Sequence, residues 1–328
     1  MSKVKISFVV PVYNEVDGVV SFLDKELLPE IKLINDYSTE VIIVDDGSTD
    51  GTTAVLKKYV SSKKNISLIS FSRNFGKEAA LSAGLFYSTG DAIITIDADG
   101  QQPPSIVRKF IKKWEDGYSI VVGVRKKFTK HGFIAKLGSK LFYKTMHLMG
   151  NADMKSGTTD YRLLDRSVVE IYNDFTEHNR ITRGLIDWMG FKKGYIEYEY
   201  GKRIAGKPSY DFKKLFRLAI DSFISLSTTP LIIFGYIGVV ITALSFFLGL
   251  FVIIQQYILG DPLGLYWNGA VQMAIFITFL VGLVLISQAI TALYISHIHA
   301  ETQNRPLYIV DKNNSLNIKK YGGGDKSI

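Results

Sequence analysis

The sequence predicts an α/β protein: a mostly parallel sheet with helices on both faces, followed by a membrane-associated segment. The first observation is that strand-like and helix-like runs alternate along the N-terminal part of the chain, as in parallel sheets. The second is that polar segments follow the strands, where ligands bind in such sheets. The third is a change of composition late in the chain, where two long runs carry no charged residue.

The predicted elements follow one another in a regular order. The run KISFVVPVY is apolar and rich in β-branched residues, which predicts a buried strand, and residues 15–34 predict a helix. The order continues with the TEVIIVDDGS strand and turn, a helix over 51–62, the ISLISFS strand, a helix over 77–88 and the AIITIDAD strand.

Four polar segments lie at the ends of these strands. Because parallel strands bring their carboxyl ends to one edge of a sheet, we expect the four segments to converge there. In the second segment, Asp45 or Asp46 offers an acceptor for a base N–H or a ribose hydroxyl, although such a segment also caps a helix, the role we favour for Asp50. The segments are PVYNE at 11–15, DDGSTDGT at 45–52, SRNFGKE at 72–78 and DADGQQPP at 97–104.

The fourth segment carries two carboxylates one residue apart, Asp97 and Asp99. Alternate residues of an extended chain share a face, so both carboxylates and the amide oxygen of Gln101 can reach one cation. Oxygen ligands suit Mg²⁺ or Mn²⁺, which keep positions open for substrate phosphates. A surface turn is the competing interpretation, since Asp, Gly and Pro favour turns. The convergence of four polar segments favours the metal site.

Composition limits the function classes. The net charge of +8, from 39 Lys+Arg and 31 Asp+Glu, favours an anionic partner such as nucleic acid, phosphates or an anionic membrane face. The absence of cysteine excludes disulfides and a thiolate metal site. Neither G-x-G-x-x-G nor G-x-x-x-x-G-K-[ST] is present, so neither a dinucleotide fold nor a P-loop is indicated. The N-terminal apolar run, interrupted by Pro11, is too short for a signal peptide.

The two charge-free runs, 230–254 and 267–296, are each long enough to cross a bilayer as a helix. Lys and Arg flank the pair but are absent from the turn between them, so the positive-inside rule places both ends in the cytoplasm. The preceding DFKKLFRLAIDSFISL has apolar residues at helical spacing and predicts an interfacial helix on an anionic leaflet. A helix packed on the soluble domain is the alternative for that stretch.

Seven segments, taken in order, carry a resemblance to a known family. They are similar to the family 2 glycosyltransferases of GT-A fold, and more narrowly to the bacterial polyprenyl-phosphate glycosyltransferases, relatives of dolichol-phosphate mannose synthase. The resemblance covers nearly the whole chain. Gly100 stands where the family usually has Leu, and Tyr210 where it usually has Lys, with Lys207 as a substitute cation. The segments are VVPVYNE, VDDGSTDGT, SRNFGKEAAL, IDADGQQPP, DYRLLDR, RIAGKPSY and NRPLYIV.

The resemblance implies an inverting transferase of the plasma membrane. It would move a sugar from a nucleoside-diphosphate sugar, expected to be a UDP-sugar, to polyprenyl (undecaprenyl) phosphate at the cytoplasmic face with Mg²⁺ or Mn²⁺, giving a lipid-linked sugar for cell-envelope glycan modification. The implied partners are the donor, the acceptor and the lipid bilayer, without nucleic acid, and a homo-oligomer is left open. The sugar is not identified, because glucose, N-acetylglucosamine, galactose and mannose differ by single hydroxyls or substituents. The implied domains are a cytoplasmic GT-A catalytic domain over 1–210, an amphipathic interfacial helix over 211–228, a two-helix transmembrane hairpin over 229–298 and a cytoplasmic tail over 299–328.

The resemblance also assigns roles to residues. Asp160 matches the family's candidate base, but a phosphate acceptor is already largely ionised at neutral pH, so we favour an orienting role. Arg203 matches the arginine that holds the donor pyrophosphate, which its planar fork suits. Arg125 is the residue that we expect at the acceptor phosphate. The predicted catalytic residues are Asp99, Asp160 and Arg203; the metal ligands are Asp97, Asp99 and Gln101; the substrate-binding residues are Pro11, Tyr13, Asn14, Glu15, Asp45, Asp46, Lys77, Asp97, Arg125, Lys136, Ser139 and Ser209.

Two other functions remain open at this point. A processive polysaccharide synthase shares the GT-A core but needs a Gln-x-x-Arg-Trp segment and further spans, and TRGLIDW at 182–188 lacks that pattern. A non-catalytic, membrane-anchored protein that binds nucleotide sugars is the second alternative. The presence of both acids, at positions 97 and 99, argues against a non-catalytic binding protein. Hydrolysis of a nucleotide sugar would distinguish an enzyme from a binding protein.

Overall fold

The structure, a computed structural model, describes residues 3–126, 157–177, 180–199, 201, 254, 269–303 and 305–318. The chain divides into two compact units. The first comprises Met1–Ser209 together with Arg305–Ile328, and the second comprises Tyr210–Asn304. The predicted interfacial helix over 211–228 lies outside the described residues, as does the first charge-free run apart from Ile254.

The first unit is built on a seven-stranded sheet with the order β3-β2-β1-β4-β6-β5-β7. Four of its strand pairs are parallel, and only β6 runs antiparallel to its neighbours β4 and β5. The predicted mostly parallel sheet is therefore confirmed. The strands are β1 (Lys5–Val12), β2 (Ser38–Asp45), β3 (Ile66–Ser70), β4 (Ala92–Thr95), β5 (Ile120–Arg125), β6 (Thr158–Asp165) and β7 (Lys193–Tyr198).

Helices connect these strands in the predicted order. The helix predicted over 15–34 begins only at Val19, because the carbonyl of Glu15 accepts from the N–H groups of Gly18 and Val19 and closes a turn first. A wider, π-helical turn lies in its middle. The helical segments are α1 (Val19–Phe22), the π turn (Leu23–Leu27), α2 (Leu28–Lys32), α3 (Thr52–Val60), α4 (Lys77–Tyr87), a 3₁₀ turn (Pro104–Ile106), α5 (Val107–Glu115), α6 (Arg166–Asp174) and α7 (Thr182–Trp188).

Apolar side chains cover both faces of the sheet, as the continuous apolar strands predict. On one face, Phe8 of β1 packs in a cluster with Phe22 of α1. On the other face, Val9 packs with Leu85 of α4 and Ile93 of β4. With both faces covered, the carboxyl edge of the strands is left as the place where polar groups of the sheet can meet a ligand.

Residues 305–318, which we call the C-terminal strap, lie along the edge strand β3. Leu316 forms an antiparallel bridge with Leu68, and Val310 forms another with Phe71. An open edge strand would expose unpaired backbone groups, and the strap covers this one. The sequence predicted only a cytoplasmic tail here, because the strap follows the apolar runs and its partners are distant in the chain.

Tyr308 of the strap should contribute to the stability of the first unit. Its ring stacks on Phe71, with the ring centroids 4.9 Å apart. We expect Tyr308→Ala to lower the free energy of unfolding by about 1–2 kcal/mol, since an aromatic pair contributes beyond its buried area. Ile309→Ala is the matched control, because that side chain is 52% exposed. Equal thermal unfolding midpoints for the two variants would contradict the expectation.

The second unit contains helix α8 (Gly269–Thr302), which coincides with most of the second charge-free run. Among the residues that the structure describes, no helix is long and apolar enough to cross a membrane. The predicted transmembrane hairpin is therefore without support from the described residues and stays a prediction.

Candidate active site

The candidate active site lies where the carboxyl ends of β1, β2 and β4 meet the beginning of β6. Because β6 runs antiparallel to β4, with Arg162 opposite Thr95, the first residues of β6 lie beside the end of β4. Asp160, near the start of β6, is thereby brought to the residues that follow β4. Helix α4 begins at the same edge with Lys77.

Lys77 lies between two carboxylates. Its Nζ is 2.6 Å from Oδ1 of Asp97 and 3.3 Å from Oδ2 of Asp160. Burial opposes the charge on Lys77, but the two carboxylates outweigh it and raise the pKa of the ammonium group. Burial raises the pKa of Asp97, and the charges of Asp160 and Asp99 add to that rise despite the opposing effect of Lys77. The site therefore holds more negative charge than one lysine neutralises.

Asp160 is held by a second cation, Arg183 of α7. Arg183 Nε lies 3.3 Å from Oδ1 of Asp160, and Nη2 lies 3.3 Å from Oδ2, so the guanidinium spans both oxygens. Burial disfavours the ionised carboxylate, but Lys77, Arg183 and Arg162 together hold the pKa of Asp160 below its usual range. Asp160 is consequently a carboxylate at neutral pH.

Arg162 places a buried positive charge beneath Asp160, two residues further along β6. Its side chain is 2% exposed, and Nη1 lies 3.3 Å from Oδ1 of Asp187. Its Nη2 has no hydrogen-bond partner among the described residues. A cavity of about 10 Å³ adjoins Arg162, which is the space that one water molecule needs. The cavity is lined by Leu81, Thr95, Asp160, Arg162, Leu164, Thr182, Arg183 and Ile186.

The segment with the predicted metal ligands is a turn rather than a continuation of β4. The strand ends at Thr95, and Gly100 has φ +74°, in the left-handed region that favours glycine. This conformation accounts for Gly100 at the position where the resembling family usually has Leu. The turn brings Gln102, not Gln101, back onto Asp97: the backbone N–H of Asp97 donates to Oε1 at 2.9 Å, and Nε2 donates to Asp97 Oδ2 at 2.7 Å.

The chemistry of the predicted ligands fits a hard divalent cation. Asp97, Asp99 and Gln101 offer two carboxylates and an amide oxygen, the donors that Mg²⁺ and Mn²⁺ prefer. Asp99 Oδ1 accepts from the backbone N–H of Gln101 at 3.0 Å, so these two residues are close. Within the described ranges, no group of three or more His, Cys, Asp or Glu residues able to hold a metal was found. The metal assignment thus stays a prediction that rests on the mixed set of donors.

Hydrogen bonds connect two of the predicted polar segments, PVYNE at 11–15 and DDGSTDGT at 45–52. Asn14, with φ +53°, donates its backbone N–H to Ser48 Oγ at 2.9 Å and accepts at Oδ1 from the N–H of Thr49 at 2.9 Å. The buried Asp45 accepts from the backbone N–H of Ser48 at 3.1 Å and from the hydroxyl of Thr53. The carboxylate of Asp45 therefore orders the loop around it.

Asp46 positions the segment that carries Lys77. Its carboxylate accepts from the backbone N–H groups of Phe75 at 2.7 Å and Gly76 at 2.9 Å, and burial raises its pKa. Gly47 lets the two loops approach, since a Cβ there would come within 2.2 Å of the carbonyl carbon of Arg73. A nucleotide contact for Asp45 or Asp46 stays a prediction, because the described contacts of both are with the protein.

The remaining predicted residues are distributed as follows. Pro11 pairs with Val44 inside the sheet, Tyr13 is 44% exposed just beyond β1, and the N–H of Glu15 donates to Thr52 Oγ1 at 3.0 Å. Arg125 ends β5, which runs antiparallel to β6 and therefore reaches the edge where β6 begins. Lys136, Ser139, Arg203 and Ser209 lie outside the described residues.

Sequence reasoning missed Gln102, Arg183 and Glu78. Glu78 accepts from the N–H of Thr182 at 2.9 Å, at the start of the helix that carries Arg183, and burial and the charge of Asp160 raise its pKa. The two adjacent glutamines in DADGQQ could have indicated Gln102 as a second candidate to contact Asp97. No local pattern joins Arg183 to Asp160, because their contact depends on how α7 packs.

A mostly parallel sheet with a D-x-D segment at its carboxyl edge, beside loops ordered by buried acids, has the architecture of GT-A glycosyltransferases. The chain belongs to glycosyl transferase family 2, whose family model matches residues 7–172. The protein is thus a glycosyltransferase.

Curated relatives match nearly the whole chain. A bactoprenol glucosyl transferase of Shigella phage SfX is 34% identical over 306 residues, 93% of this chain and 98% of the relative. An uncharacterized glycosyltransferase of Bacillus subtilis (strain 168) is 33% identical over 317 residues, 97% of this chain and 96% of the relative. Among solved structures, glucosyl-3-phosphoglycerate synthase from Mycobacterium tuberculosis, in complex with Mn²⁺, UDP and phosphoglyceric acid, is 17% identical, with a TM-score of 0.48 over 68% of this chain and 77% of that chain.

Proposed function

We propose that this protein transfers a sugar from a nucleoside-diphosphate sugar, with UDP as the nucleotide, to polyprenyl phosphate. The observation that carries the proposal is the site itself, where Asp97, Lys77 and Asp160 meet at the carboxyl edge of a family 2 fold. The relatives named bactoprenol glucosyl transferases support the lipid acceptor, because they match this chain over almost its full length. The lipid-linked product would serve as a donor for cell-envelope glycan modification.

The reaction joins an oxygen of the acceptor phosphate to the anomeric carbon of the sugar. The bond from that carbon to the β-phosphate oxygen breaks, the nucleoside diphosphate leaves with the electron pair, and the configuration inverts. A phosphate monoester has a second pKa of about 6, so the attacking oxygen is already anionic at neutral pH. When bound at Asp97, Asp99 and Gln101, Mg²⁺ or Mn²⁺ would stabilise the negative charge of the leaving group.

The residues of the chain position the two substrates. Asp160, ionised and clamped by Arg183, is suited to orient hydroxyls of the sugar or the acceptor rather than to take up a proton. Lys77 supplies positive charge beside the expected position of the donor phosphates. Arg125 lies at the same edge on β5 and is proposed to meet the acceptor phosphate.

Arg125 and Arg203 should separate kinetically, since they belong to different segments and are assigned to different phosphates. Arg125→Ala should raise the KM for the lipid phosphate, and Arg203→Ala should raise the KM for the nucleotide sugar, each by about tenfold or more, as expected for loss of a charge-assisted hydrogen bond. Initial rates measured with each substrate varied in turn check this. Equal effects on both substrates would show that the assignment is wrong.

Membrane association follows from the proposed acceptor, which is a membrane lipid. We propose that the charge-free runs at 230–254 and 267–296 anchor the chain and leave both ends in the cytoplasm, on the support of their composition and flanking charges. A reporter enzyme that is active only in the cytoplasm should therefore be active when it is fused after Ile328. Activity only from a reporter that works outside the cell would contradict this topology.

The proposed reaction is tested with full-length protein in detergent and a set of radiolabelled nucleotide sugars. We expect label to pass into the organic phase only when undecaprenyl phosphate is present, and with one sugar in clear preference. Polymer that grows without lipid phosphate would indicate a processive synthase. Binding of the nucleotide sugar without transfer or hydrolysis would indicate a binding protein.

A further inference from the structure

Lys77 contacts one oxygen of Asp97, the carboxylate that we expect to bind a divalent cation. Lys77 Nζ is 2.6 Å from Asp97 Oδ1, and Gln102 Nε2 is 2.7 Å from Oδ2. Each oxygen of this carboxylate therefore already accepts a hydrogen bond from the protein. Each oxygen keeps a second lone pair, so a divalent cation at Asp97 would share the carboxylate with Lys77 and Gln102, and its charge would repel the ammonium group of Lys77.

We propose that Lys77 is a resident counter-ion, which competes with the divalent cation for Asp97 and gives up this contact when the cation binds. The inference rests on the proposed function, because the metal-dependent transfer implied by the family is what brings a cation to Asp97. Lys77 is thus assigned a positioning role in addition to any contact with the donor.

The surroundings of Lys77 allow such an exchange. It is the first residue of α4, its side chain is 38% exposed, and it has a second carboxylate, Asp160, at 3.3 Å from Nζ. On leaving Asp97 it therefore keeps an anionic partner. The exchange links the metal ligand Asp97 to Asp160 through one flexible side chain.

Charge balance gives the exchange a direction. Without Lys77, the carboxylates of Asp97 and Asp160 lie near each other, and the remaining positive groups, Arg183 and Arg162, act on Asp160. With both Lys77 and a divalent cation present, two positive groups lie beside one carboxylate and repel each other. Lys77 should therefore weaken the binding of the cation alone, and donor phosphates, which neutralise the added charge, should restore it.

The test measures Mn²⁺ binding to the full-length protein in the absence of nucleotide, by the paramagnetic resonance of free Mn²⁺. Removing the charge in Lys77→Met should tighten binding by about tenfold, within the usual range of coupling between sites. Lys77→Arg keeps a cation and should stay close to wild type. Lys109→Met is the matched control for the loss of one positive charge, because Lys109 is exposed on α5.

Unchanged or weaker Mn²⁺ binding in Lys77→Met, or equal tightening in Lys109→Met, overturns the inference. Lys77→Gln is measured beside Lys77→Met, with the thermal unfolding midpoint of each, so that one misfolded variant leaves a second result. Failure of the proposed function would give a different result from failure of this inference. In that case wild type would bind Mn²⁺ and Lys77→Met would bind it more tightly, but no lipid-linked sugar would form. Product formation with unaltered Mn²⁺ affinity in both variants would instead remove the counter-ion role alone.

Discussion

Asp97→Asn and Asp99→Asn will each lower the rate of sugar transfer by about 10² or more, as loss of charge stabilisation at a reacting centre usually does. The amide keeps the shape of the side chain but removes the negative charge that a divalent cation needs. In the Asp97 variant, Lys77 also loses the closer of its two carboxylate partners. Transfer rates with Mg²⁺ and with Mn²⁺ measure the effect, and excess chelator should abolish the wild-type activity.

Stability separates this loss of activity from misfolding. The folded protein raises the pKa of Asp97, so it binds that proton more tightly than the unfolded chain, and stability falls as pH rises through this range. The amide of Asp97→Asn has one accepting oxygen, whereas Lys77 and Gln102 both contact the carboxylate of Asp97, so the thermal unfolding midpoint of the variant is measured beside its transfer rate. Asp116→Asn, on an exposed residue after α5, is the matched control and should retain full activity. Full activity of Asp97→Asn, or of wild type in chelator, would remove the metal assignment.

The alternation of apolar strands and helices was enough to predict the parallel part of the sheet, because strands such as β1 are buried on both faces. It was not enough to predict β6, which is the one antiparallel strand among the described strands. No local pattern in the run TTDYRLLD indicates whether this strand runs parallel or antiparallel to its neighbours. That direction decides the site, since only an antiparallel β6 begins at the edge where β4 ends.

The site was predictable in its parts but not in its contacts. Period-two spacing drew attention to Asp97 and Asp99, but the strand ends at Thr95, and the turn with the left-handed Gly100 brings Gln102 rather than Gln101 to Asp97. The resemblance singled out Lys77 without its partners. Which carboxylates a lysine meets depends on packing over long separations in the chain, and composition carries no information on that.

The role of Asp160 gives the second large effect. Asp160→Asn should lower the rate of transfer by about 10² or more, as loss of a charged group that positions the reacting groups usually does, and a general base at this position would account for about 10²–10⁴. The asparagine side chain keeps the shape and some of the hydrogen bonds of the carboxylate. It lacks the negative charge that pairs with Lys77 and Arg183. Asp174→Asn, at an exposed position on α6, makes the same chemical change away from the site and should behave as wild type.

The pH dependence of that deficit decides how Asp160 acts. Its pKa is held below the usual range, so Asp160 is ionised at every pH from about 6 to about 9, where a general base of such low pKa has little tendency to take a proton. The acceptor loses its last proton near pH 6. If Asp160 orients a substrate, the ratio of wild-type to Asp160→Asn rates should therefore be constant from about pH 7 to about pH 9. If Asp160 removes a proton, the ratio should be large near pH 6 and should disappear as the acceptor ionises, because a fully ionised phosphate has no proton left to remove. A ratio that falls to one by about pH 9 would restore the base and contradict the orienting role.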